Sequence, residues 1–358
     1  MLVPFVLSRL LVLGSLVLTR HVVTSLRVAR PPVQTREGLV SWDAGWYWRI
    51  AAGGYDSVPK EGLRFFPLVS LLARAGGWLP GVSTRLALLL VVNVSALAAG
   101  FLVYELARRE KRDHAVAARA VWIMYLAPSA FVLVMGYAEA VMMTAALVAL
   151  LALRQGRWWI AAAAGIVAGL TRPVGLLLVV PSLVEVFRTR PRSTARDSFG
   201  RAAAVLGPVA GAGAYLVWAE RRTGDLLYPL RVQQASARRG SWIDPVRAVW
   251  HAAGQLRSGD HLSAGIHLVT AVTLAALVMV LWRRWPASFT AYAIAAVVLG
   301  LSARNLDSLE RYSLSTVPLI LAAAELVGGG TRERIALVAL GATLVAFSVL
   351  AFSGVLVP

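Results

Sequence analysis

With 358 residues, 58% of them hydrophobic, and a mean hydropathy of +0.68, the chain is too apolar for an ordinary soluble domain and reads as a polytopic membrane protein. The absence of cysteine excludes a disulfide framework, a thiolate metal site and a cysteine nucleophile. A net charge of +18 would suggest nucleic acid in a soluble protein, but here the arginines fall in loops between apolar stretches, so the expected partners are membrane lipids and lipid phosphates and not nucleic acid.

The first apolar window, 2–26, carries Arg9 and Arg20 and no clear small-residue cleavage site, and is expected as a retained span. Further windows at 84–106, 116–135, 138–153, 158–170, 174–187, 202–219, 262–282, 287–302, 312–328 and 335–356 bring the expectation to about eleven spans, each crossing taking roughly 20 residues. The pair 158–170 and 174–187 is short and interrupted by TRPVG (171–175), the pattern of a broken helix lining protein or a wet cavity. The expected fold class is an all-α polytopic membrane bundle forming one domain over 1–358. Two long connections, 27–83 and 220–261, are expected to hold amphipathic helices on the outer leaflet.

Sidedness follows from the short basic connections 108–113, 154–157, 188–201, 283–284 and 331–334, which alternate onto one face, taken as cytoplasmic. The unusual polar segments then all fall on the opposite face: WDAGWYWR (42–49), RFFP (64–67), GYAE (136–139), TRPVG, LYPLRVQQ (227–234) and ARNLDSLERY (303–312). The richness in Ala, Val, Leu and Arg, with only two Lys, suits a GC-rich bacterial genome such as an actinobacterial one, and places the chain in a bacterial plasma membrane with its site outside.

Asp43 is the central candidate. Sugar transfer from a lipid phosphate needs a carboxylate that takes the proton of an attacking hydroxyl; the plainer role is a helix start, with Ser41 as N-cap and Asp43 in a first turn favoured by the helix dipole. Trp42, Trp46 and Arg49 share a helix face, and the aromatics Trp42, Trp46 and Tyr47 serve either as interfacial anchors or as a platform for sugar. Glu139, at the end of a span, is either functional or a dipole-favoured carboxylate. Arg172, Arg304 and Arg311 sit in short outer turns suited to gripping a phosphate, with Arg64 and Arg231 as further substrate contacts; Asp307 and Glu310 are expected to pair with these arginines. The five histidines show no metal-ligand spacing and there is no phosphate-binding glycine loop, so no nucleotide or metal site is visible, although Asp43 and Glu139 leave room for a transiently held divalent cation.

In order along the chain, WDAGWYWRIAAGGY (42–55), FFPLVS (65–70), Asn93, Glu139 of the GYAE turn, Arg172 and Gly175 of the TRPVG turn, and ERY (310–312) resemble the PIG-V-type (GPI mannosyltransferase 2-like) mannosyltransferase family. The resemblance spans nearly the whole chain and is most specific in its first motif; the chain departs where FFPLVS lacks a second proline and TRPVG lacks a serine. It implies a GT-C type transmembrane bundle that transfers mannose, with inversion, from a polyprenyl-phosphate donor to a glycolipid or lipid-linked acceptor, with Asp43 as the catalytic acid of the first outer loop. A protein O-mannosyltransferase would carry an Asp-Glu pair there, whereas Ala44 follows Asp43. The alternatives are another GT-C glycosyltransferase using a different lipid-phosphate sugar, and a transporter or flippase of a lipid-linked or polar solute; the absence of an internal repeat and the one-sided placement of the motifs weigh against the transporter.

Overall fold

A backbone in lipid must satisfy its polar groups internally, and a helix does so within a single segment. In a computed structural model describing residues 1–111, 113–189, 194–235, 238–258 and 261–357, without the side chains of Ser258 and His261, the described residues contain helices and no strand. Parts of two basic loops, at 112 and 190–193, lie outside the described residues. In order come α1 (Leu2–Ser25), α2 (Val33–Glu37), α3 (Asp43–Gly53), α4 (Pro67–Gly76), α5 (Thr84–Lys111), α6 (His114–Leu126), α7 (Glu139–Arg154), α8 (Trp158–Thr171) and α9 (Val179–Arg188). The remainder is α10 (Ala195–Thr223), α11 (Tyr228–Arg231), α12 (Pro245–Ser258), α13 (His261–Arg284), α14 (Ala287–Leu301), α15 (Leu309–Ser315), α16 (Val317–Val327) and α17 (Thr331–Phe352).

By length and composition five of these can cross a membrane: α1, α5, α10, residues Leu262–Arg284 of α13, and α17. The other apolar windows fall on shorter helices: α6, α7, α8, α9, α14 and α16. The window 116–135 holds no long helix, only the greater part of the 13-residue α6 followed by a 3₁₀ turn, Ala130–Leu133. α7 is apolar on nearly every side because protein surrounds it, and hydropathy alone reads that pattern as a lipid crossing. The chain is a multi-pass membrane protein.

The most intimate helix pair is α8 with α10. A Cβ added at Gly169 would meet the Pro208 carbonyl oxygen and lie 2.7 Å from the Ala212 nitrogen, and one at Gly165 would lie 2.6 Å from Pro208 Cδ. Small residues let membrane helices approach backbone to backbone, where van der Waals packing replaces the missing hydrophobic drive. α8 stops where Pro173 pushes Arg172 out of the helical region, to φ −157° and ψ 154°. A 3₁₀ turn, Pro173–Leu178, then leads into α9, so the expected break is present and carries Arg172.

Gly169→Leu is expected to cost about 1–3 kcal/mol through overpacking, read as a lower melting temperature of the detergent-solubilised protein. Gly213→Leu on the same α10, where an added Cβ meets nothing within 4 Å, should melt like the wild type.

Candidate functional site

The first long connection, the break after α8, the segment after α11 and the turn between α14 and α15 enclose a cavity of about 540 Å³. Trp42, Tyr47, Phe65, Phe66, Trp242 and Tyr312 give it aromatic walls, Arg64, Arg172, Arg238, Arg239 and Arg311 give it positive charge, and Asp43 and Asp307 are its carboxylates. An apolar cleft with a few convergent polar groups is the usual form of a small-molecule site.

Two helices aim their first turns at this cavity, and each starts from a non-glycine residue in the left-handed region: Trp42 at φ 58° before α3 and Ser308 at φ 71° before α15. L-residues seldom adopt this conformation, and its strain recurs at functional sites. Here it sets Asp43 at the head of α3 and Arg311 in the first turn of α15. Trp42 Nε1 donates to the Ala351 carbonyl at 3.0 Å and Thr35 Oγ1 to the Phe352 carbonyl at 2.7 Å, tying this connection to the end of α17. Ser41 is not the N-cap: Trp42 takes that position without a side-chain cap bond, and the buried Ser41 Oγ has no hydrogen-bond partner. The left-handed turn at Trp42 moves the cap one residue along.

Arg311 Nη1 donates to Asp43 Oδ2 at 2.5 Å, and Arg64 Nη2 lies 3.7 Å from Oδ1. Burial opposes charge on this carboxyl, but Arg311 and then Arg64 outweigh it and hold Asp43 below the usual carboxylate range. With 24% of its side chain exposed, Asp43 is ionised and open to the cavity. Glu139, at the head of α7, is 1% exposed and lies behind the wall. Arg172 Nη1 donates to its Oε1, and Arg311 Nε lies 3.2 Å from the same oxygen without an aligned hydrogen bond. Glu139 therefore holds two cavity arginines from the rear instead of facing a ligand. Arg311 contacts both acids, and among the described residues no group of three His, Asp or Glu is placed to hold a metal.

Arg172 and Arg239 each stand 5.0 Å from the Tyr312 ring centre and Arg311 5.8 Å, so three guanidiniums gather on one phenol. Arg64 closes the 3₁₀ turn Lys60–Arg64, which Tyr215 of α10 braces by donating its hydroxyl to the Leu63 carbonyl at 2.7 Å.

The other expected residues are elsewhere. Trp46 stacks on Phe65 at 5.5 Å and takes the Arg49 guanidinium at 4.8 Å, outside the lining. Arg304 is exposed and off the wall, anchored through its backbone to the Ser241 carbonyl. Arg231 is 62% exposed and paired with Asp225. Asn93 braces the bundle, donating to the Leu89 and Val134 carbonyls and accepting from Arg9 at 3.1 Å. Asp307 and Glu310 face a histidine instead of the arginines: His267 Nδ1 is 3.0 Å from Glu310 Oε1 and Nε2 is 3.6 Å from Asp307 Oδ1. Sequence reasoning missed Arg238 and Arg239. Their signal was a dibasic step just after LYPLRVQQ, in a connection with no periodicity to orient it.

A strained, charged, aromatic-walled cavity in a multi-pass helical bundle defines the class that fold and site share. No known family's sequence model matches the chain, and no curated protein matches it. Among solved structures the chain is similar to ArnT from Cupriavidus metallidurans bound to undecaprenyl phosphate, with a TM-score of 0.51 and 14% identity over 87% of this chain and 71% of that one. The chain thus shares the overall membrane-helix fold of that structure.

Glu139→Gln should leave Arg172 without its acid and Arg311 with Asp43 alone, and cost about 3–5 kcal/mol, the usual penalty for breaking a buried pair. Thermal melting of the purified protein measures it; an unchanged midpoint would remove Glu139 from the supporting network.

Proposed function

We propose that the protein is a membrane glycosyltransferase that moves a sugar, in the first instance mannose, from a polyprenyl-phosphate donor to the hydroxyl of a glycolipid or lipid-linked acceptor on the extracytoplasmic face of a bacterial plasma membrane. The observation that carries this reading is Asp43: an ionised carboxylate, open to a roomy cavity and set beside arginines suited to a phosphate. The similarity to a fold captured with undecaprenyl phosphate supports a lipid-phosphate donor, and the PIG-V-like first motif supports mannose.

In this mechanism Asp43 accepts the proton of the acceptor hydroxyl as its oxygen bonds to the anomeric carbon. The bond from that carbon to the phosphate oxygen breaks and its electron pair leaves with the polyprenyl phosphate. The reacting carbon inverts because attack and departure occur on opposite faces. The guanidiniums around Tyr312, from Arg172, Arg239 and Arg311, are already in place when charge develops on the leaving phosphate, so no reorganisation is needed at that moment. Arg311 has a second effect. It holds Asp43 as an ion pair; a donor phosphate that draws on the same guanidinium loosens that hold, so Asp43 becomes a better base once the donor is bound.

Asp43→Asn should lower transfer of radiolabelled mannose from polyprenyl-phosphate mannose into membrane lipids by about 10²–10⁴-fold at equal expression. Equal incorporation by wild type and variant would take Asp43 out of the chemistry. No incorporation by either would put the transporter reading first.

The pH dependence follows from the lowered Asp43 value. A carboxyl held below its unfolded value of ~3.9 adds stability that is present above that pH and lost as pH falls through the folded value. The base form likewise persists into acid. The acid limb of kcat/KM attributable to Asp43 should therefore lie below pH ~4, and Arg311→Gln should move it upward. A limb unmoved by Arg311→Gln would separate the two groups.

A further inference from the structure

Asp43 takes the proton, and the second carboxylate of the cavity, Asp307, has no part in that step. The two differ in what holds them. Asp43 faces arginine on both oxygens, with Arg311 Nη1 at 2.5 Å from Oδ2 and Arg64 Nη2 at 3.7 Å from Oδ1. Asp307 keeps 33% of its side chain exposed, lines the cavity and, among the described residues, pairs with no arginine. Asn305 fixes it locally: its amide donates to Oδ2 at 2.7 Å, and its carbonyl oxygen accepts the Asp307 backbone N–H at 3.1 Å. Nε2 of His267, on α13, stands 3.6 Å from Oδ1, longer than a hydrogen bond. The same ring is set by Glu310, whose Oε1 lies 3.0 Å from Nδ1 and also accepts Thr270 Oγ1 at 3.0 Å. A carboxylate has about four lone-pair sites, so Asp307 is a placed acceptor with capacity to spare on Oδ1.

The rest of the wall gives that spare capacity its meaning. The five guanidiniums of the cavity bring donors and no acceptor. Such a wall satisfies a phosphate, but a sugar hydroxyl also has a hydrogen to give, and one left unpaired in a site closed to water is costly. With five cations against two carboxylates the cavity disfavours an ammonium, so the group that suits Asp307 is a neutral hydroxyl. We propose that Asp307 is a specificity-determining residue whose Oδ1 accepts a hydroxyl hydrogen of a hexose, so that the cavity recognises sugar as well as phosphate. This rests on the glycosyl-transfer reading above.

The hexose is either the donor's own sugar or one borne by the acceptor, and two arms of a binding titration on the purified full-length protein separate them. In the first, polyprenyl-phosphate mannose is compared with undecaprenyl phosphate of the same chain length, so the difference isolates the donor sugar. In the second, octyl mannoside is compared with octanol on protein saturated with undecaprenyl phosphate. The variant is Asp307→Asn: Asn305 claims its amide oxygen, which turns an NH2 group toward the cavity in place of Oδ1. The wild type is expected to prefer the sugar-bearing ligand in at least one arm, and Asp307→Asn to lose about tenfold or more of that preference. Undecaprenyl phosphate affinity should stay unchanged, which also shows that the variant is folded. Loss in the first arm assigns the hydroxyl to the donor, and loss in the second assigns it to the acceptor. A preference for sugar that Asp307→Asn leaves intact, or no such preference in the wild type, overturns the proposal and leaves the transfer reading standing. An equal fall in undecaprenyl phosphate affinity also overturns it, because Asp307 would then support the cavity as a whole. Failure of the wild type to bind either polyprenyl lipid removes the transfer reading itself, and the sugar contact with it.

Discussion

The site depends on an alternating chain of charges, Asp43–Arg311–Glu139–Arg172. Its members come from the head of α3, the first turn of α15, the head of α7 and the break after α8, and its Asp43–Arg311 link joins residues 268 positions apart. Each of these charges alone would be expensive in a low-dielectric interior, and alternation lets each offset its neighbours. The chain of charges therefore also constrains the fold, since the network is complete only when all four segments have come together.

The two acids of that network are the same kind of group in different surroundings. Glu139 is sealed behind the wall and holds two arginines that line it, so it has no direct route to the cavity. Asp43 keeps a quarter of its side chain open and borders a cavity wide enough for a sugar. Environment rather than residue type separates the sealed carboxylate from the open one, as it does wherever one site puts two acids to different uses. The left-handed starts at Trp42 and Ser308 belong to the same economy of design: tilting two helix heads into one cavity requires backbone that ordinary residues avoid, and the Trp42 indole bond to the Ala351 carbonyl helps hold one of them there.

Much of this was legible in the sequence. Asp43, Glu139, Arg172 and Arg311 could be singled out because a polar residue beside a long apolar window has few inexpensive explanations, and the Arg172 break was visible in the proline that follows it. What escaped was whatever depends on contacts between distant segments. Trp46 shares the first motif with Trp42 but turns onto Phe65, because α3 buries one face against α4 and presents another to the cavity. Arg231 finds Asp225 six residues away, while Arg238 and Arg239, a few residues further on, reach the cavity; the non-periodic chain between α11 and α12 carries no sign of that difference. His267 meets Glu310 across 43 positions, beyond any local spacing rule. The span count is soft for a related reason: α7 is sheathed in protein and as apolar as a helix sheathed in lipid.

The choice of arginine over lysine ties composition to mechanism. Of the 36 basic side chains only two are lysine, and neither lines the cavity. A buried ammonium readily sheds its proton, whereas guanidinium stays charged, spreads that charge over a plane, and can rest on an aromatic face while its edge still donates. Tyr312 shows the consequence: Arg172 and Arg239 both lie beside its ring, an arrangement that leaves donor edges for oxyanions without requiring a carboxylate for every cation. A cavity built this way stays positive although it is walled by aromatic rings, which is the condition for drawing an oxyanion to that wall.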